Sequence, residues 1–426
     1  MIILSNGFNK FYLAVAAAEM NRRCLLTSFI TGAYPKPYFV DLCSRLRTNR
    51  DSKLSRLLNR REKIDDRLVL SMWASEAVYT AGLYISRTPK ISAFGQWIER
   101  MGFRLYGRAA VSTIKRAAAN GAKIYHYRAG FGHKSVQAAK VAGLVTLCDH
   151  SIAHPEVLGY LVANEGRMPG REDVCPVDPL WSDINQDIEE AEAVLVNSQF
   201  VKDTFIKRGW NPQLIHVVYI GVDDGFLKEI PPNKERNNNE VTFQLLFAGS
   251  FEKRKGAEVL MEALRLLKDK DWKLKIVGGI SPDIKRRFHN DLMDVRISHL
   301  GCLSRRDLAA EMVKADGFVF PSLAEGSARV VFEALACGCY VITTPNSGSI
   351  VENGVHGRLV PAGDAGALAS AIRDTMALPR ERLRETGRNN SQNVRERYRQ
   401  SQYGDKLLAL YQELLKVKGQ TIVAAT

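Results

Sequence analysis

The feature that most constrains this 426-residue chain is a pattern written twice, on either side of a polar break. In the first half, Ile2-Ser5, Cys24-Phe29, Ile124-Tyr127, Leu144-Cys148, Val194-Asn197 and His216-Ile220 are short apolar or β-branched runs, with helical segments between most of them. Strands that alternate with helices build parallel sheets, because a parallel partner needs a long crossover. The run from Pro231 to Asn239 is polar and turn-prone, which marks a linker. The same alternation then resumes. Thr242-Ala248 reads as a strand, Val259, Leu260, Ala263, Leu264 and Leu267 share one helical face, and Leu274-Val277, Val295-Leu300, Gly317-Phe320 and Tyr340-Thr343 read as further strands. The expected fold is α/β, with two Rossmann-like domains, at residues 1–222 and 223–400. In the tail, Leu407, Leu408, Tyr411, Leu414 and Leu415 keep helical spacing, so residues 401–426 are expected to form a helix packing across the domains.

A chain of this length exceeds the roughly 250 to 300 residues one core can organise, which agrees with two domains. Seven cysteines lie scattered without metal-ligand spacing, so no metal site and no disulfide framework is expected, and a cytoplasmic location fits. The first twenty residues lack the basic start and cleavage site of a secretory leader. Leu68 to Ser86 is nearly free of charge, but Glu76 interrupts it and it falls short of a spanning helix.

The net charge of +14 is uneven: residues 1–120 hold twenty Lys and Arg against eight Asp and Glu. The segment 41–120 is Arg-rich, reads mainly as helix and elaborates the basic fold. An anionic membrane surface is the partner that charge suggests, with peripheral attachment at the inner face of the plasma membrane; a solvated basic face is the plainer alternative. No nucleic-acid partner is expected, since no basic-aromatic platform accompanies the charge.

The densest chemistry lies in PSLAEGSARVVFEALACGCYVITTP, residues 321–345. Glu325 is placed in a loop and Glu333 on the helix that follows, about two turns further in. Gly326, Ser327 and Ala328 form a small approach to the start of that helix, whose unpaired N–H groups and dipole suit a diphosphate. Glu333 can accept hydrogen bonds from ribose hydroxyls, because a carboxylate matches a vicinal diol. Gly249 to Gly256 carries Lys253-Arg254-Lys255 where a strand ends and a helix begins, in the crevice where open α/β sheets bind ligands. There Arg254 and Lys255 can neutralise a leaving diphosphate.

With VLVNSQFVKDTF, HLGCLSRRDL and SIVENGVHGRLV in order around them, these motifs resemble the family-four retaining glycosyltransferases of the GT-B fold over most of residues 190–400. The resemblance implies two facing domains with a C-terminal helix crossing back to the first, the C-terminal domain holding the donor. It implies metal-independent transfer, without a cofactor, from a UDP-sugar or GDP-sugar to a glycan or lipid-linked glycan, with the anomeric configuration retained. Arg254 and Lys255 would bind the diphosphate, Glu333 the ribose, and Glu325 the sugar or its reacting face. Such an enzyme would build polysaccharide or cell-envelope glycan. In the first domain the resemblance continues through residues 124–165, where His150 and His154 are candidates for a hydroxyl of the donor sugar. Gly7 occupies the first strand-helix turn, where relatives often carry two glycines near acceptor and diphosphate. Two residues depart from the pattern: Ser250 stands where many relatives place an arginine, and Arg329 puts a charge at the helix start, as a phosphate contact or a solvent-facing side chain. A nucleotide-sugar epimerase on the same fold is the alternative, and a nucleic-acid-binding protein the remote one.

Overall fold

The computed structural model describes residues 1–9, 12–37, 40, 57–58, 60–170, 173, 179–232 and 242–420. The expected linker falls largely outside them, as does much of the Arg-rich segment before residue 60.

Two parallel sheets organise the described residues. The first contains β1 (Ile2–Gly7), β2 (Leu26–Thr31), β3 (Val69–Ser71), β4 (Ile124–Arg128), β5 (Val145–His150), β6 (Ala193–Val196) and β7 (Ile215–Val217) in the order β3-β2-β1-β4-β5-β6-β7. The second contains β8 (Phe243–Ala248), β9 (Trp272–Val277), β10 (Ile297–Gly301), β11 (Gly317–Phe320), β12 (Tyr340–Thr343) and β13 (Gly357–Leu359) in the order β10-β9-β8-β11-β12-β13. Every residue of β1, β5, β6, β11 and β12 is buried, as expected for strands covered by helices on both faces. In each sheet the order reverses beside the first strand, between β1 and β4 and between β8 and β11. Such switch points open crevices at the carboxyl ends of the strands.

The short strands β3 and β13 were not anticipated from sequence. β3 lies within the segment read as mainly helical, and only its pairing with β2, Phe29 to Val69 through Thr31 to Ser71, makes it a strand. Helices Trp73–Ser86 and Ser92–Ala119 follow as an antiparallel hairpin.

The C-terminal helices divide their packing. Arg380–Arg397 lies on Arg329–Ala336 in the second domain. The chain then crosses at Tyr398, whose carbonyl accepts from Val222 N at 2.8 Å. Gly221 has φ +70°, and a Cβ there would sit 2.0 Å from the Tyr398 oxygen, so the crossover needs glycine. Gln400–Val417 then lies on the first domain. Its Leu407, Tyr411 and Leu415 join Ile2, Leu4 and Leu13 in one core, and Tyr411 Oη is 2.7 Å from His126 Nδ1. The closing helix thus crosses back to the first domain instead of spanning both. Among the described residues no helix is long and apolar enough to cross a membrane.

Candidate functional site

β8 ends at Gly249, and the chain turns through Lys253–Lys255 into the helix Ala257–Arg265. The turn closes at Gly256, with φ +79°; an added Cβ would stand 1.9 Å from the Pro321 carbonyl oxygen. Backbone contacts tie this turn to the loop after β11. Arg254 O accepts from Leu323 N at 2.9 Å and from Ser322 Oγ at 3.1 Å.

Side chains complete the join. Arg254 Nη1 donates to Glu325 Oε1 at 2.6 Å and to Ala324 O at 2.9 Å, and Lys255 Nζ stands 3.1 Å from the same carboxylate oxygen. The basic turn and the loop glutamate are therefore one partly buried cluster, with both cations converging on one anion. Lys255 also lies 5.4 Å from the centre of the Phe320 ring.

The residues after Glu325 form the seam between domains rather than the open approach their small side chains suggested. A Cβ on Gly326 would meet the Ser151 carbonyl oxygen at 1.8 Å, and one on Gly348 would meet the Gly326 oxygen at 1.9 Å. Ser198 Oγ donates to Gly326 O, and Asn346 Nδ2 donates to Gly166 O at 2.7 Å and to Leu323 O at 2.8 Å. Ser327 is buried, and Ala328 N donates to Ser347 O at 2.9 Å.

The helix Arg329–Ala336 begins there. Ala328 caps it without a side-chain hydrogen bond, so no neighbouring residue competes for the first-turn donors through the cap. Glu333 sits one turn inside the helix, closer to its start than the expected two turns. Burial pushes its carboxyl up to about 7, against the opposing pull of Arg329 and Arg305. Arg329 is exposed, with its guanidinium 5.7 Å from the centre of the Tyr12 ring of the first domain.

The first domain contributes a cavity of about 170 Å³. Phe8, Tyr79, Phe103, Phe131, Trp181 and Ile184 supply apolar walls, while Arg128, Asp149, His150 and Ser151 form a polar end. That end adjoins the seam, since Ser151 is the residue against which Gly326 packs. Burial raises the Asp149 carboxyl to about 6, and Arg128 pulls the other way from 4.0 Å. Asp149 Oδ1 is buried without a hydrogen-bond partner.

The two candidate histidines separate. His150 lines the cavity, its Nε2 3.2 Å from Ala153 O, and burial lowers its pKa to about 3. His154 is turned away. Its Nδ1 accepts from Glu156 N at 3.3 Å, capping Pro155–Ala163, and its ring packs on Phe205 with centroids 4.8 Å apart. Burial lowers its pKa to about 4. Of the two candidates for a donor hydroxyl only His150 lines this cavity, while the Nδ1 of His154 is satisfied locally by the Glu156 N–H. Gly7, at φ +75°, donates its N–H to Tyr106 Oη at 3.1 Å. A Cβ would enter the Phe131 ring at 2.5 Å, so this glycine makes room for the aromatic wall of the cavity.

Sequence reasoning missed that wall, Arg128 and the role of Asp149 at the cavity's polar end. The wall gathers from segments 8, 79, 103, 131 and 181, and none of them carries a local signature. Asp149 had one available signal, its position at the carboxyl end of a predicted strand.

Comparisons bear on the second domain first. Residues 242–377 match the profile of the family described as glycosyl transferases group 1. An uncharacterized glycosyltransferase of Methanocaldococcus jannaschii is 26% identical over 230 residues, 53% of this chain and 60% of the relative. The D-inositol 3-phosphate glycosyltransferase of Pseudarthrobacter chlorophenolicus is 35% identical over 125 residues, 28% of this chain and 30% of the relative. In these matches the aligned part spans less than two thirds of each relative's length. Among solved structures, an Anabaena protein in complex with UDP and glucose superposes with a TM-score of 0.58 at 16% identity, covering 96% of this chain and 98% of that one. That likeness is one of fold, two Rossmann-like domains in the GT-B arrangement.

Proposed function

From the match of residues 242–377 to the glycosyl transferases group 1 family, we propose that this protein transfers a sugar from a nucleoside diphosphate sugar to a hydroxyl of a glycan or lipid-linked glycan, with retention. The observation that carries the proposal is the convergence of Arg254 and Lys255 on Glu325, beside a helix start left without a side-chain cap. Arg254, which Glu252 also holds at 3.2 Å, and Lys255 are fixed in place and preorganised for an anion. An entering diphosphate competes with Glu325 for both, and the released carboxylate is then free to bond the donor sugar. The first-turn N–H groups of Arg329–Ala336 add to the phosphate site, and Glu333 receives the ribose hydroxyls one turn deeper.

The acceptor belongs on the other side of the seam. Asp149 Oδ1, buried without a hydrogen-bond partner and 4.0 Å from Arg128, is the atom an acceptor hydroxyl would meet, with the aromatic cavity behind it for an apolar portion. His150, neutral and at the same end, is suited to a hydrogen bond with a sugar hydroxyl. The donor base is proposed to be uracil or guanine; the Anabaena neighbour bound to UDP supports the former.

Thermal denaturation with UDP, GDP and ADP in separate samples tests the reading. One nucleotide should raise the melting temperature of the wild type, since a ligand at one hundred times its Kd adds about 2.7 kcal/mol. The rise should shrink in Glu333→Ala. No stabilisation by any of the three would remove the donor site, and incorporation of solvent deuterium into a sugar nucleotide would favour epimerisation instead.

A further inference from the structure

The helical hairpin of the first domain has two faces of different use. Inward, Tyr79 and Phe103 line the cavity beside Asp149. Outward, Trp73, Tyr84, Ile91, Phe94 and Trp97 are 66%, 48%, 47%, 56% and 54% exposed. Among the described residues, every aromatic side chain with that degree of exposure lies between positions 73 and 97. A soluble surface scatters such side chains, so their collection on one element calls for a partner.

The geometry of the hairpin holds them outward. Its helices touch through glycines: a Cβ on Gly82 would lie 2.5 Å from Glu99 N, one on Gly95 2.3 Å from Ser86 N, and one on Gly102 2.7 Å from Tyr79 Cβ. With backbones this close, the aromatic side chains of the tip have no room between the helices. Phe94 and Trp97 stack with ring centres 5.8 Å apart, and Arg104, Arg108 and Lys115 continue their stripe at helical spacing. Trp73 and Tyr84, three turns apart, share a stripe on the other helix.

Charge identifies the partner. Arg87, Lys90, Arg104, Arg108, Lys115 and Arg116 are exposed, whereas the acids of residues 73–120, Glu76 and Glu99, are both buried. Glu76 is paired with Arg60 at 2.8 Å. The face is therefore cationic without compensation, which disfavours a second copy of itself. Aromatic side chains flanked by Lys and Arg match the boundary between headgroups and acyl chains of an anionic bilayer.

We propose that this hairpin docks the protein on an anionic lipid bilayer, with Tyr84, Ile91, Phe94 and Trp97 entering the interface and the surrounding cations meeting lipid phosphates. This goes beyond attraction by net charge, because it assigns the contact to named apolar side chains. It also deepens the transfer reading, on which one part of it rests: a docked hairpin brings the cavity lined by Tyr79 and Phe103 to the bilayer, where a lipid-linked acceptor would enter.

The test is co-sedimentation of the full chain with phosphatidylcholine vesicles, with and without phosphatidylglycerol, alongside a Phe94→Ser, Trp97→Ser double variant. The wild type should bind vesicles containing phosphatidylglycerol, and bind them less in high salt. The variant should bind at least about tenfold more weakly while keeping its melting temperature. Equal binding of variant and wild type, or no binding of the wild type to anionic vesicles, overturns the proposal. So does a wild-type dimer in light scattering that the double substitution dissolves, which would make the face a contact between copies. Nucleotide-induced stabilisation, measured on both proteins, reports separately on the donor site: its absence in both would sink the transfer reading and leave bilayer docking standing.

Discussion

Glu333 shows at the scale of one residue how a binding role and a stability cost share a side chain. Burial lifts its carboxyl from 4.5 to about 7, so the stability that goes with its neutral form is complete below about 4.5 and is lost as pH rises through about 7. Glu333→Gln should therefore be more stable than wild type at pH 8, by about 2 kcal/mol, and nearly equal to it at pH 5, as read from melting curves across that range. Nucleotide binding should run the other way. Ribose hydroxyls donating to the carboxylate favour its charged form, so binding near pH 7 should release a proton, seen as a buffer-dependent enthalpy in calorimetry. Glu325, Arg254 and Lys255 stood out in the sequence because acid and base sit at strand-helix turns, where ligands gather. Their convergence on a single oxygen depends on the distance between two turns seventy residues apart, which no local pattern encodes.

The elements around the site are set by a few backbone positions. Gly256 ends the basic turn in a left-handed conformation against the Pro321 carbonyl. Gly256→Ala should cost about 2 kcal/mol or more, since it adds both conformational strain and a backbone collision. Nucleotide stabilisation should fall with it, because the turn and the Glu325 loop move together; a variant with wild-type melting and binding would contradict that coupling. At this scale most helices and long strands were legible, their apolar period being a local property. β3 was not. It has three residues, lies in a run read as helical, and owes its state to an open edge on β2. The choice between His150 and His154 was not legible either, because it turns on a helix cap at Glu156 N and on the Phe205 ring, which engage His154.

At the scale of the molecule, the seam at Gly326 joins the two halves. Gly326→Ala places a methyl group 1.8 Å from the Ser151 oxygen, across the domain boundary. The expected result is a more open pair of domains: a larger radius of gyration in solution scattering, unchanged far-UV circular dichroism, nucleotide stabilisation kept and sugar transfer lost. Equal radii and equal transfer would show that the seam has slack. The transfer reading explains the sensitivity, because a reaction that must exclude water needs both walls of its cleft in register.

The sequence by itself determined that there are two parallel α/β halves, where each begins its sheet, and that the second carries a basic turn and two glutamates. These follow from periodicity, turn chemistry and short motifs, which act between near neighbours. Tertiary structure alone decided which histidine lines the cavity and that an aromatic cavity ends at Asp149. It also decided that four exposed aromatic side chains share one hairpin. Each of these is set by contacts between residues far apart in the chain, whose energies exist only once both partners are in place.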